Sequence, residues 1–155
     1  MLSCVTTIAR SVLDVFNDLY AMFGRETYCR LFPVILTDRG SEFSNPVPIE
    51  QDENDELRSL VFYCNPSAPY QKGGIEVAHE LVRRVLPKGK SFDDLQQEDI
   101  DLMLSHINSY KRGKLNSRSA YQLFNFIYGD DILPKLNIRE IEANDIVLSP
   151  KLLKK

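Results

Sequence analysis

Phe32-Pro33-Val34-Ile35-Leu36-Thr37-Asp38-Arg39-Gly40 is an apolar, β-branched run that stops abruptly on turn-forming residues. A short apolar run closed by Asp and Gly reads as a buried strand followed by a tight turn. Leu60-Val61-Phe62-Tyr63-Cys64 repeats the pattern and is closed by Asn65-Pro66. Strands of this kind are normally covered on both faces and flanked by partners, so two are too few for a self-sufficient parallel sheet. The expected fold class is α/β with an incomplete sheet.

Helical periodicity surrounds these strands. Upstream, Ile8, Val12, Val15, Phe16, Leu19 and Phe23 share one helical face, with Thr6 or Thr7 as the cap and Gly24 as the stop. Downstream, a helix is expected from about Ile75 to Leu86, with Ile75, Ala78, Leu81, Val82 and Val85 facing a core and Pro87 and Gly89 ending it. Ser91 or Asp94 is expected to open the next element. A helix follows at about Gln97 to Tyr110, then a basic turn Lys111-Arg112-Gly113-Lys114, then a helix from about Ser119 to Tyr128. Ile146-Val147-Leu148 near the end is strand-like. The acidic stretch with Pro46 and Pro48 reads as a loop with room for one short helix.

The chain has 155 residues, about one domain, with 43% hydrophobic and 26% charged residues, ordinary for a globular protein. No apolar run approaches the roughly 18 residues of a membrane span, and the first residues lack a signal-peptide pattern. Cys4, Cys29 and Cys64 are odd in number and widely spaced, which suits a reducing cytoplasm better than disulfides or zinc. The net charge of −3 argues against a protein that coats nucleic acid by bulk charge. Charge is nevertheless segregated: six acids and no base lie between Glu42 and Glu56, and nine bases against seven acids between Ala68 and Arg118.

Asp38 sits where a strand ends, the position at which open α/β sheets bind ligands. Read alone, Asp-Arg-Gly is better explained as turn chemistry. Glu76, in the first turn of its helix, suits the positive end of the helix dipole without any catalysis. Glu80 is placed to pair with Arg83 or Arg84 on a solvated face. His79 and His106 lie on amphipathic helices with no second ligand at i+4, and a structural role is the favoured reading of each.

In combination these residues carry more. Thr37-Asp38-Arg39-Gly40-Ser41-Glu42-Phe43, then Tyr63-Cys64-Asn65-Pro66-Ser67-Ala68-Pro69-Tyr70-Gln71-Lys72-Gly73-Gly74-Ile75-Glu76, then Arg83-Arg84-Val85-Leu86-Pro87-Lys88-Gly89, form a long ordered series. It resembles the integrase-type DDE transposases, specifically the IS-thirty group of bacterial insertion sequences, from about Val12 to the C-terminus. The resemblance implies a partial RNase H-like fold lacking its first strands, with a helical C-terminal half. Residues 1–130 would be the truncated core-like domain and 131–155 a C-terminal tail. Such enzymes cut and join DNA with three carboxylates that hold two divalent metals, Mg²⁺ or Mn²⁺, for in-line attack at phosphorus. Asp38 matches the second Asp and Glu76 the Glu, as catalytic and metal-binding residues. Lys72, Arg83, Arg84 and Lys88 would lie where DNA phosphates approach, although solvated ion pairing explains each arginine as cheaply.

Some positions depart from that pattern. The first Asp of the family lies on a strand upstream of Asp38, and here only Asp14, Asp18 and Glu26 precede it, all on or beside the first helix. The helix-turn-helix region that reads transposon ends is absent as well. Val77 stands where the family commonly has Asn, which would loosen the surroundings of a metal. Arg39 replaces a commoner Asn at little cost. Three readings follow. The first is a transposase fragment that is inactive alone. The second is a non-catalytic DNA-binding or dimerisation module regulating a full-length transposase. The third is a translated remnant whose strand at Val34 to Leu36 is left unprotected. The partners implied are DNA, as transposon ends and target, and a second copy or a full-length transposase, in a bacterial cytoplasm near the nucleoid.

Overall fold

A computed structural model describes residues 2–65, 73–89 and 95–153. The chain is mixed α and β, mostly helical, and divides into two compact units, Met1–Gln71 and Lys72–Lys155.

The first unit opens with helix α1, Leu2–Leu31. It begins upstream of Thr6 and Thr7, so neither threonine is its cap. Gly24 breaks the helical geometry as expected (φ 73°, ψ 162°), but the helix resumes and runs on to Leu31. Strand β1 (Val34–Thr37) and strand β2 (Leu60–Tyr63) pair in parallel, Val34 opposite Leu60 through Thr37 opposite Tyr63. The short helix α2, Val47–Glu50, starts with Pro48 in its first turn, where a missing N–H costs nothing.

Neither strand is buried, contrary to the pattern of its residues. Val34, Leu36, Leu60 and Phe62 alternate along the two strands onto one shared face, and each is 42–53% exposed. A two-stranded pair has too little width to be covered on both sides, so the apolar face remains in solvent. The outer edge of β2 is partly occupied: the Val61 N–H donates to Glu50 Oε1 at 2.8 Å.

Arg58 holds this unit together. It is only 4% exposed. Its Nε donates to Ile49 O at 3.0 Å, and Nη2 donates to Pro48 O and Asn17 Oδ1, both at 2.8 Å. The guanidinium also lies 5.1 Å from the Tyr20 ring centre and 5.6 Å from that of the fully buried Tyr28. One planar cation thereby joins α1 and α2 through hydrogen bonds and two aromatic faces.

The second unit comprises helix α3 (Gly73–Val85), helix α4 (Gln97–Ser109), a hairpin of β3 (Lys111–Arg112) and β4 (Arg118–Ser119), and helix α5 (Ala120–Tyr128). These match the helices expected from periodicity to within a few residues. Ser91 and Asp94 lie outside the described residues; α4 is entered through Gln96, whose N–H donates to Asp99 Oδ2 at 3.1 Å. Ser119 caps α5 by accepting from the Gln122 N–H at 3.1 Å, while Gln122 Oε1 accepts from the Ser119 N–H, a reciprocal capping box.

Leu81, Val85, Met103 and Ile107 form the core, and Val77, Val82, Leu148, Leu152 and Leu153 pack on it. Ile75 does not face this core; it is exposed, because α3 packs mainly through the turns around Leu81 and Val85. Nor is Ile146–Leu148 a strand. The segment docks on α4 instead, where His106 Nδ1 accepts from the Val147 N–H, as the stretch before it does where Ser105 Oγ accepts from the Arg139 N–H and Ser109 Oγ from the Ile141 N–H. Side chains one helical turn apart thus satisfy backbone donors that a sheet neighbour would otherwise take.

Candidate active site

Asp38 follows β1 directly, at the carboxyl end of the parallel pair, and is exposed. Its Oδ1 accepts from the Gly40 N–H at 3.2 Å, the local bond by which Asp shapes a turn. Gly40 leaves room for the returning Glu42 side chain: a Cβ there would stand 2.6 Å from both Glu42 carboxylate oxygens. Residues Ser41–Phe43 form a 3-10 turn, and the Phe43 carbonyl accepts from the Tyr63 hydroxyl at the end of β2. The two segments that carry the first half of the motif series are therefore tied to each other at the same end of the sheet.

Glu76 belongs to the second unit. It lies in the first turn of α3 and is exposed, as a carboxylate at the positive end of a helix dipole tends to be. The segment from Pro66 to Lys72, including the proposed phosphate contact Lys72, lies outside the described residues. Asp38 and Glu76 are thus positioned by separate units. Among the described residues, no group of three or more His, Cys, Asp or Glu side chains is gathered to hold a metal ion.

The basic residues of α3 divide in two. Arg84 Nη2 donates to Glu80 Oε1 at 2.6 Å, so Glu80 has chosen Arg84 over Arg83. That bond, with the charge of Glu80, raises the Arg84 pKa further; both side chains are well exposed and the pair contributes little stability. Arg83 and Lys88 are exposed, with no ion pair to a described residue. Val77, which replaces the Asn of the resembled family, has a packing role: it lies against the Leu81 and Val85 cluster.

Two arrangements were not anticipated from the residues. One is the stripe Ser105, His106 and Ser109, all buried, which receives the tail. Its sequence signal was the i, i+4 spacing of two serines on the face of an amphipathic helix that also carries Met103 and Ile107. The other is the compact β3–β4 hairpin, legible in advance only as a basic turn.

The chain is similar over part of its length to several transposases. It is 35% identical over 63 residues to the transposase for insertion sequence element IS1086 of Cupriavidus metallidurans, covering 41% of this chain and 19% of that protein. It is 27% identical over 94 residues to the transposase for insertion sequence element IS4351 of Bacteroides fragilis, covering 61% of this chain and 28% of the relative. The transposase InsI for insertion sequence element IS30A of Escherichia coli K12 is 27% identical over 63 residues, 41% of this chain and 16% of that protein. The chain therefore spans less than a third of the length of these relatives. No family model matches the chain, and no solved structure matches it. No described helix is long and apolar enough to cross a membrane.

Proposed function

We propose that this chain carries two of the three carboxylates of a DNA strand-transfer site, within a partial RNase H-like fold of the IS-thirty kind, and does not catalyse transfer by itself. The observation that carries the reading is the position of Asp38. It follows a strand of a parallel pair at the end where α/β sheets bind ligands, inside a Thr-Asp-x-Gly-x-Glu-Phe segment. The similarity to transposases supports DNA as the substrate.

Exposed carboxylates are hard oxygen donors of the type that Mg²⁺ or Mn²⁺ takes, so the donor chemistry of Asp38 and Glu76 fits a divalent ion. When bound, such an ion supplies Lewis-acid stabilisation at phosphorus. By the resemblance, Asp38 and Glu76 would each supply a carboxylate ligand to such an ion, and Arg83, Arg84, Lys88 and Lys72 would meet the phosphodiester backbone. The resembled family uses three carboxylates, and this stretch carries the counterparts of two of them.

The test is Mn²⁺ binding followed by electron paramagnetic resonance, together with incubation of the chain with Mg²⁺ and a labelled transposon-end oligonucleotide. Weak Mn²⁺ binding that Asp38→Asn or Glu76→Gln abolishes, with no nicked or joined product, is expected. Mn²⁺ binding indifferent to both substitutions overturns the metal site. Product formation that Asp38→Asn removes overturns the inactivity.

A second reading, a non-catalytic DNA-binding or dimerisation module acting on a full-length transposase, is favoured by one feature. The hairpin segment 111–118 holds four bases and no acid.

A further inference from the structure

A groove of about 520 Å³ on the second unit lies between α3 and the hairpin, with Val77, Leu81, Arg84, Tyr110, Arg112 and Lys114 in its lining. A hollow of about 410 Å³ adjoins it across Arg84, Tyr110 and Lys111. Four bases and one acid, Glu80, line the larger groove of a chain whose net charge is −3. Glu80 is already engaged by Arg84. Lys111, Arg112 and Lys114 therefore have no carboxylate partner among the described residues.

The hairpin presents these bases on a defined frame. Lys111 pairs with Ser119 and Arg112 with Arg118, and the reversal passes through Asn116 and Ser117, both with positive φ. The Asn116 N–H donates to Gly113 O at 3.0 Å and the Ser117 N–H to Arg112 O at 3.1 Å, closing the turn. Arg112 is under-used by the protein. Its Nη2 makes one long bond, 3.4 Å to Ile107 O, and its buried Nε has no partner among the described residues. The buried Nε is out of a ligand's reach, but the guanidinium is held by only one long bond, so its Nη groups suit a phosphate, and the exposed Tyr110 at the junction of the two hollows offers an aromatic partner for a base.

We propose that this groove binds single-stranded DNA, with Lys111, Arg112 and Lys114 neutralising backbone phosphates and Tyr110 stacking on a base. The charge selects a polyanion, and the aromatic face beside the bases selects one whose bases are unpaired. The assignment of DNA rests on the strand-transfer reading above.

The experiment is fluorescence anisotropy of a labelled oligothymidine strand with the full chain, in EDTA, as salt is raised from about 50 to 200 mM. Three neutralised phosphates give a slope of log K against log salt near −2, at ~0.7 for each contact on a single strand. Replacing Lys111 and Lys114 by Ala makes the slope shallower by ~1.4. Tyr110→Ala weakens binding about tenfold and Tyr110→Phe restores it, which separates stacking from loss of a hydroxyl. An unchanged slope in the double variant, absence of binding by the wild-type chain, or tighter binding of a duplex of equal length overturns the proposal. EDTA keeps the two proposals separable. A chain that binds DNA through the groove but holds no Mn²⁺ loses only the metal site. A chain that holds Mn²⁺ through Asp38 and Glu76 but fails the slope test loses only the groove.

Discussion

His106 Nδ1 accepts a hydrogen bond from the Val147 N–H at 3.1 Å, fastening the C-terminal segment to α4 with a buried imidazole. Only an unprotonated Nδ1 can accept, so the proton of the neutral ring resides on Nε2. Burial lowers the His106 pKa below its ordinary 6.5, the charge of Arg139 lowers it further, and Asp145 opposes both.

The pH dependence follows from that direction. The unfolded chain takes up a proton at His106 more readily than the folded one, so stability is full above pH 6.5 and declines as pH falls from there through the lower folded value. Urea midpoints between pH 8 and 5 should trace this decline. In His106→Ala the component vanishes, and stability at pH 8 is lower by about 1 kcal/mol for the lost acceptor.

A second acid limb belongs to the first unit. The Tyr20 hydroxyl donates to Asp52 Oδ2 at 2.8 Å and is the chief cause holding the Asp52 pKa below its usual 3.8; partial burial opposes it, while the Asn54 and Glu56 N–H groups and the Arg25 charge lower it further. This contribution is present above pH 3.8 and lost as pH falls through the folded value. Tyr20→Phe removes the main cause, so the carboxyl titrates at a higher pH. An NMR titration of the Asp52 carboxyl carbon in both proteins checks the shift.

Arg58→Met should be among the most destabilising single substitutions in the first unit. It leaves the carbonyls of Pro48 and Ile49 and the Asn17 amide oxygen without their donor. A loss of about 3 kcal/mol is expected, and Arg58→Lys should recover only part of it because an ammonium lacks the planar fork. Denaturant unfolding of the two variants measures this. Equal stability of Arg58→Met and wild type would refute the clamp.

Gly24→Ala tests the break in α1. The added Cβ meets nothing within 4 Å, so its cost is purely that of the backbone at φ 73°, ψ 162°, a region nearly confined to glycine. A loss of ~1–3 kcal/mol in unfolding free energy is expected. A gain would mean that α1 prefers to run straight through.

The exposed face of the β1–β2 pair is an association hazard, since Val34, Leu36, Leu60 and Phe62 share it. Leu36→Thr with Phe62→Thr keeps strand propensity while removing apolar area. The concentration at which the chain begins to scatter light should rise, with the thermal midpoint little changed.

Much of the local structure was legible in the residues. The apolar spacing of Leu81, Val82 and Val85, and of Met103 and Ile107, located α3 and α4, because a 3.6-residue period is a property of neighbouring positions. Gly24 marked the break in α1, and the Phe32–Leu36 and Leu60–Cys64 runs located both strands. What escaped reading depends on partners far along the chain. Arg58 is buried by Asn17, 41 residues away, and Ile146–Leu148 is bound by His106 rather than by a strand.

The opening stretch shows the division most clearly. Phe32 to Gly40 determined by itself that a strand would end in a turn at Asp38, because β-branched residues followed by Asp and Gly encode that change locally. Its apolar composition also implied burial, and there the tertiary structure decided otherwise. Burial is not a property of a strand but of what packs over it, and a parallel pair of two strands leaves Val34 and Leu36 in solvent.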